Sequence, residues 1–284
     1  MKVIHSIQEM KAWRREQRAQ GKTIGLVPTM GYLHEGHLTL MRQAKKQCDL
    51  VVASIFVNPI QFGVGEDYED YPRDLSRDVA LAEGANVDVI FAPAVADMYL
   101  QGFQTTIEVA EVSQPLCGQS RPGHFRGVAT VVTKLLNIVA PDQAFFGQKD
   151  AQQAAVLQRM VADLNMDVSI NVVPIVREAD GLALSSRNVY LSPEERQAAL
   201  VLSGSLKQAE DMVADGVVNV QEIRARVENL IAAEPMANID YVQLLALPNL
   251  TEEAVLAERN LLAVAVRFGK TRLIDNIILE AAHV

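Results

Sequence analysis

Leu50-Val51-Val52-Ala53-Ser54-Ile55-Phe56-Val57 is almost continuously apolar and rich in β-branched residues. A strand of that composition has no face to give to water, so it belongs inside a sheet covered on both sides. Similar runs recur, Ile24-Gly25-Leu26-Val27 and Ala144-Phe145-Phe146 among them, and they alternate with helical patterns. The alternation predicts strands near 23–28, 50–57, 87–92, 143–147 and 168–176. Helices are predicted from His34 to about Gln47, near 75–84, near 128–139 and over 150–164. A first helix opens at the capping-box pattern Ser6-Ile7-Gln8-Glu9 and runs to about Gln20 before Gly21. This is the order of a doubly wound α/β domain with a parallel sheet, assigned to residues 1–175. Ligands of such sheets lie beyond the carboxyl ends of the strands, so the loops after Val27, Val57 and Phe146 should converge on one crevice.

Beyond about residue 176 the pattern changes. Ser192-Pro193-Glu194-Glu195 supplies a cap, a first-turn proline and a capping-box glutamate for one long helix, and a second begins near Val220. Ile239–Leu247, Leu261–Phe268 and Thr271–Leu279 then read as antiparallel strands, the last two joined at Gly269-Lys270. Residues 176–284 are therefore expected to form a smaller α+β domain. Two glycine-containing segments, 63–70 and 118–123, read as mobile loops.

Bulk composition narrows the function. A net charge of −9 works against a broad nucleic-acid or anionic-membrane surface, while leaving room for a local basic pocket. Cys48 and Cys117 are too few for a disulfide framework, and the residues after Met1 lack a signal-type apolar core, which points to a reducing cytoplasm. The longest apolar runs fall far short of the roughly 20 residues a membrane helix needs.

The chemistry concentrates at strand ends. Pro28-Thr29-Met30-Gly31-Tyr32-Leu33-His34-Glu35-Gly36-His37 reads as strand, tight turn and helix N-terminus. Glycines admit close backbone approach, unpaired N–H groups at a helix start favour anions, and neutral imidazoles can donate to phosphate oxygens. Zinc is the competing reading of the two histidines. Their spacing is one residue short of HExxH, the chain has 5 histidines, and no third ligand is evident, so phosphate contact is favoured over zinc or a plain helix start. Gly147-Gln148-Lys149-Asp150 places a cation where a strand end meets a helix, although Asp150 would also serve as a simple cap. Asp180-Gly181-Leu182-Ala183-Leu184-Ser185-Ser186-Arg187 joins two hydroxyls to a guanidinium that can stabilise a departing pyrophosphate. Asn58, Gln61, Gln152 and Gln153 are neutral amides suited to reading hydroxyls and carboxylates. Arg121-Pro122-Gly123-His124-Phe125-Arg126-Gly127 reads equally as a further anion contact or an interface loop.

Taken with Phe56-Val57-Asn58-Pro59-Ile60-Gln61-Phe62, Tyr71-Pro72-Arg73 and Gly181–Asn188, these motifs resemble the pantothenate synthetase (pantoate–β-alanine ligase) family over essentially the whole chain. The resemblance implies a Rossmann-like nucleotidyltransferase domain of the HxGH type, a C-terminal domain acting as a lid, and a cytoplasmic homodimer. It implies an ATP-dependent condensation of pantoate with β-alanine through pantoyl adenylate, releasing pyrophosphate and then AMP. Catalytic roles would fall to His37, His34 and Lys149. ATP would be bound by Met30, Gly31, Tyr32, Leu33, His34, Glu35, Gly36 and His37, by Gly147, Gln148, Lys149 and Asp150, and by Val176, Leu184, Ser185, Ser186 and Arg187. Gln61 and Gln153 would bind pantoate, with Gln61 also near β-alanine, and Mg2+ would arrive with ATP on no assigned protein ligand. Two positions depart mildly from the family pattern, Leu184 where methionine is frequent and Gln148 where glutamate is frequent. Another nucleotidyltransferase with a different acceptor is disfavoured by the two glutamines and the 176–284 domain, an aminoacyl-tRNA synthetase by the net charge and length, and a non-catalytic nucleotide sensor by the co-occurrence of Lys149, Ser185, Ser186 and Arg187 with both histidines.

Overall fold

The computed structural model describes residues 1–63 and 65–281. Val64, in the first expected mobile loop, lies outside them. The chain divides into two units. The first comprises Met1–Ser113, Cys117–Gln148 and Gln152–Pro174; the second comprises Gln114–Leu116, Lys149–Ala151 and Ile175–Val284. Two short pieces, around Pro115 and Lys149, therefore belong with the C-terminal part, unlike in a single division near residue 175.

In chain order the first unit contains β1 (Lys2–Ile4), α1 (Ile7–Ala19), β2 (Ile24–Thr29), α2 (Glu35–Gln47), β3 (Leu50–Ile55), α3 (Leu75–Gly84), β4 (Val89–Phe91), α4 (Val95–Met98), α5 (Cys117–Ser120), α6 (His124–Val139), β5 (Gln143–Gly147), α7 (Ala151–Asp163) and β6 (Ser169–Val173). The strands form a six-stranded parallel sheet in the order β1-β4-β3-β2-β5-β6. Val27, Val51, Ala53, Ile90 and Phe145 pack with Leu38, Met41 and Ala44 of α2 and Ala82 of α3. The alternate residues Leu26, Val52 and Ala144 are equally buried and so face the opposite layer, where α6 meets β2 and α1 meets α6. Strand order reverses between β2 and β5, and this switch point is where a doubly wound sheet opens a crevice for ligands.

Three local expectations change. The three-residue β1 pairs with β4, yet is too short to show a period. Helix α6 begins at His124 rather than 128, so half of the expected Arg121–Gly127 loop is helical. A 3-10 turn, Gln148–Asp150, precedes α7, so Lys149 stands on that turn and Asp150 is its last residue.

The second unit carries α8 (Pro193–Ala199), α9 (Val201–Ala214), α10 (Val220–Ala232) and an antiparallel sheet of β7 (Ala237–Ala246), β8 (Arg259–Phe268) and β9 (Thr271–Glu280). Leu202, Leu206, Ile223 and Val227 pack against Leu244, Val264, Val266 and Phe268 to form its core. The helix expected from Ser192 is broken at Leu200. Ser203 and Ser205 donate their hydroxyls to the carbonyls of Leu200 and Leu202 at 3.2 and 2.9 Å, local bonds that compete with the helical ladder. Among the described residues no helix is long and apolar enough to cross a membrane.

Candidate active site

The turn after β2 depends on a buried carboxylate. Gly31 and Tyr32 adopt φ of 88° and 49°, and a Cβ on Gly31 would lie 2.9 Å from Asp78 Oδ2 and 3.0 Å from Ile55 Cγ2. Only glycine tolerates both conditions. The N–H groups of Tyr32 and Leu33 donate to the two oxygens of Asp78, at 2.8 and 2.7 Å, while Thr29 Oγ1 accepts from Gly31 N at 3.2 Å. Asp78 is 1% exposed. Burial pushes its carboxyl above the ordinary range, against the lowering effect of those two amides and of Arg77, whose guanidinium also lies 4.8 Å from the Tyr32 ring centroid.

At the start of α2 the two histidines cap the helix reciprocally. His34 is the N-cap, its Nδ1 accepting from Gly36 N at 3.2 Å, and His37 Nδ1 accepts from His34 N at 3.4 Å. The rings stand 4.0 Å apart between centroids. This is a capping box built from imidazoles in place of hydroxyl and carboxylate. Because each Nδ1 is an acceptor, each neutral ring carries its proton on Nε2. The N–H groups of Gly31, Tyr32, Leu33, His34 and Gly36 are bonded within the protein. Glu35 is paired with Arg42.

Gln61 reaches this turn from the end of β3. It closes the 3-10 turn Pro59–Gln61, and its Nε2 lies 3.2 Å from Met30 Sδ. Asn58, 1% exposed, donates through Nδ2 to Gln61 Oε1 at 3.0 Å and to the Gly127 carbonyl at 3.2 Å, and its Oδ1 accepts from Tyr99 Oη at 2.7 Å. A side chain on Gly127 would run into the Ile60 carbonyl and Gln61 Cα, so α6 approaches this turn only through glycine. His124 Nδ1 meets the Gln61 carbonyl at 2.9 Å and its Nε2 meets Arg121 at 3.0 Å. A carbonyl only accepts and a guanidinium only donates, a pattern that suits the His124 tautomer with its proton on Nδ1. Arg121 forks onto Glu66 at 2.7 and 2.6 Å. Burial raises the Glu66 carboxyl, but the Arg121 bonds and charge outweigh it and hold the pKa at about 2.

In the second unit, the Lys149 carbonyl accepts from Asn276 Nδ2 at 3.0 Å. Burial lowers the Lys149 ammonium pKa; Arg187 adds to this, and Asp150 and Asp275 oppose it. Residues 176–184 form a small hairpin, with Leu184 N donating to Val176 O at 3.0 Å and Arg177 bridging Ala183. Arg177 is forked onto Asp275 at 2.6 and 3.0 Å. Ser185 caps the 3-10 turn Ser186–Tyr190 by accepting from Arg187 N at 3.2 Å.

The structure thus brings Met30–His37 together with Gln61 in the first unit, and Lys149, Val176 and Leu184–Arg187 fall in the second. Gly147 ends β5, Gln148 opens the 3-10 turn that follows, and Gln153 is half-buried on α7. Its neighbour Gln152 is a structural residue, accepting from Cys117 N and donating to the Val112 carbonyl. Asp78, Tyr99, Glu66 and Asn276 escape sequence reading, since each matters through a partner distant in the chain. Among the described residues no group of three His, Cys, Asp or Glu is placed to hold a metal ion.

A family profile described as pantoate-beta-alanine ligase matches residues 2–278. A pantothenate synthetase of Heliobacterium modesticaldum is 60% identical over 280 residues, spanning 99% of this chain and 100% of the relative. Another, of Pelotomaculum thermopropionicum, is 59% identical over 98% of this chain and 99% of the relative. Among solved structures, pantothenate synthetase from Thermus thermophilus has a TM-score of 0.91 at 45% identity, covering 98% of this chain and 99% of its own. Pantoate-beta-alanine ligase from Francisella tularensis, complexed with beta-gamma ATP and beta-alanine, has a TM-score of 0.80 at 35% identity, covering 98% and 97%.

Proposed function

This chain belongs to the pantoate–β-alanine ligase family and forms pantothenate from pantoate, β-alanine and ATP; on that premise we propose that it does so through pantoyl adenylate, with His34 and His37 as hydrogen-bond donors to the phosphate oxygens. The observation that carries this reading is the imidazole capping box. Its two Nε2–H groups stand at the N-terminus of α2, beside the strand switch point, where the helix dipole adds to their attraction for an anion.

In the first step a pantoate carboxylate oxygen attacks the α-phosphorus and the bond to pyrophosphate breaks. Charge then builds on the phosphoryl and departing oxygens, and neutral imidazole donors stabilise it without an added buried charge. Lys149 and the Ser185, Ser186 and Arg187 groups serve the triphosphate, and the Val176 backbone faces the adenine. Gln61 and Gln153 hold pantoate. In the second step the β-alanine amine attacks the acyl carbon and AMP leaves. The acyl phosphate is already activated, so no enzyme nucleophile is required, and catalysis consists of positioning and charge stabilisation.

Mg2+ would accompany ATP in this reading and would offset the charge of the triphosphate, with no protein ligand assigned to it. A cytoplasmic homodimer belongs to the same reading, supported by the family resemblance, with sedimentation equilibrium as its check. The chemical route is tested with pantoate labelled with 18O in its carboxylate. Adenylation predicts one label in AMP and none in inorganic phosphate; label in phosphate, with ADP as product, would overturn it.

A further inference from the structure

We propose that Tyr99 is a positioning residue for substrate recognition, acting through Asn58 to lock the Gln61 amide so that it presents N–H rather than carbonyl to the ligand. The inference rests on the reading that Gln61 meets pantoate. Its own basis is the direction of four hydrogen bonds. Asn58 is buried, and its Nδ2 faces two acceptors, the Gly127 carbonyl at 3.2 Å and Gln61 Oε1 at 3.0 Å. An inverted Asn58 would set oxygen against the Gly127 carbonyl, so that carbonyl fixes the sense of the amide. The phenol hydroxyl, donating to Asn58 Oδ1 at 2.7 Å, satisfies the oxygen so placed and anchors the side chain. Gln61 Oε1 is therefore occupied, and its amide nitrogen is the group that lies towards Met30, 3.2 Å from the sulfur.

A donor amide favours the carboxylate or a hydroxyl oxygen of the substrate over a group that itself donates. Burial raises the Tyr99 phenol well above its ordinary range, which keeps it a donor at all working pH values. Its ring is held independently, 6.2 Å from Phe56 and 5.0 Å from Phe103, with the Lys134 ammonium 5.5 Å from its centroid. Tyr99→Phe thus removes the hydroxyl and leaves the packing.

The test is steady-state kinetics on the full chain for Tyr99→Phe, Gln61→Ala and the double variant, varying pantoate and ATP separately. Tyr99→Phe should raise KM for pantoate about tenfold, the scale of one lost buried hydrogen bond, with KM for ATP unchanged. In the Gln61→Ala background the same substitution should add less than about twofold, because its target is gone. Asn58→Asp offers a second route. It keeps the acceptor for Tyr99 but sets oxygen against both carbonyls, and should raise KM for pantoate at least as much. An unmoved pantoate KM in Tyr99→Phe, parallel rises for pantoate and ATP, or full additivity in the double variant would overturn the proposal. A pantoate KM unmoved by Gln61→Ala would overturn the Gln61 assignment beneath it, and the proposal with it.

Discussion

Replacing Asp78 by alanine should unfasten the turn that presents the histidines. The carboxylate accepts from two backbone amides, of Tyr32 and Leu33, in a position closed to water. Each charge-assisted bond contributes about 1.5–3 kcal/mol, and its loss strands a buried N–H group. Against this, removing the carboxylate also removes the cost of burying its charge, which is the cause of its raised pKa. The balance is a destabilisation of about 3 kcal/mol for Asp78→Ala. Asp78→Asn retains one carbonyl acceptor and turns its NH2 towards the other amide, and should cost about 1.5 kcal/mol. Trp13, the single tryptophan, lies on α1 in the first unit, so its fluorescence in a urea titration reports the unit that matters. Because the positive φ of Tyr32 carries a backbone cost that its bond to Asp78 offsets, KM for ATP should rise in the same order. Equal urea midpoints for wild type and Asp78→Ala, or asparagine proving worse than alanine, would refute the reasoning.

Gly127→Ala forces backbone atoms of Ile60 and Gln61 apart and should destabilise the first unit by about 1–3 kcal/mol while raising KM for pantoate, both measurable on one preparation. Glu66 has its pKa depressed from 4.5 to about 2, so its pairing with Arg121 contributes stability above pH 4.5 that is lost as pH falls towards 2. The contribution is on the order of 2 kcal/mol, and Glu66→Gln should flatten the dependence of the urea midpoint on pH in that window. His37→Ala and Lys149→Ala should each slow single-turnover adenylate formation by about 10²–10³; Lys149→Ala should leave the Trp13 unfolding curve unchanged, while His37→Ala, which also loses a helix cap, should cost about 1 kcal/mol; a near-normal rate would remove the residue from the mechanism.

The parallel sheet was legible because strands such as β3 are apolar on both faces, a pattern that leaves few alternatives. The His34–His37 turn was legible because its glycines and histidines sit between a strand and a helix. Asp78 was not, because an aspartate in the first turn of a helix looks like an ordinary dipole partner, and only the folded chain brings it to Tyr32, 46 residues away. Tyr99 follows α4, a four-residue helix too short to carry a period, so nothing local marks its hydroxyl. The association of Lys149 with the second unit likewise arises from β9, through Asn276, and not from the strand that precedes it. Sequence chemistry named the groups proposed to meet ligands; the groups that hold them in place are long-range.

The central claim is that pantoate is activated as an adenylate before β-alanine takes part. The direct measurement is exchange of labelled pyrophosphate into ATP by the purified chain in the absence of β-alanine. Exchange that requires pantoate, and falls by orders of magnitude in His37→Ala, is the predicted result. Exchange independent of pantoate, or none until β-alanine is added, would contradict the account.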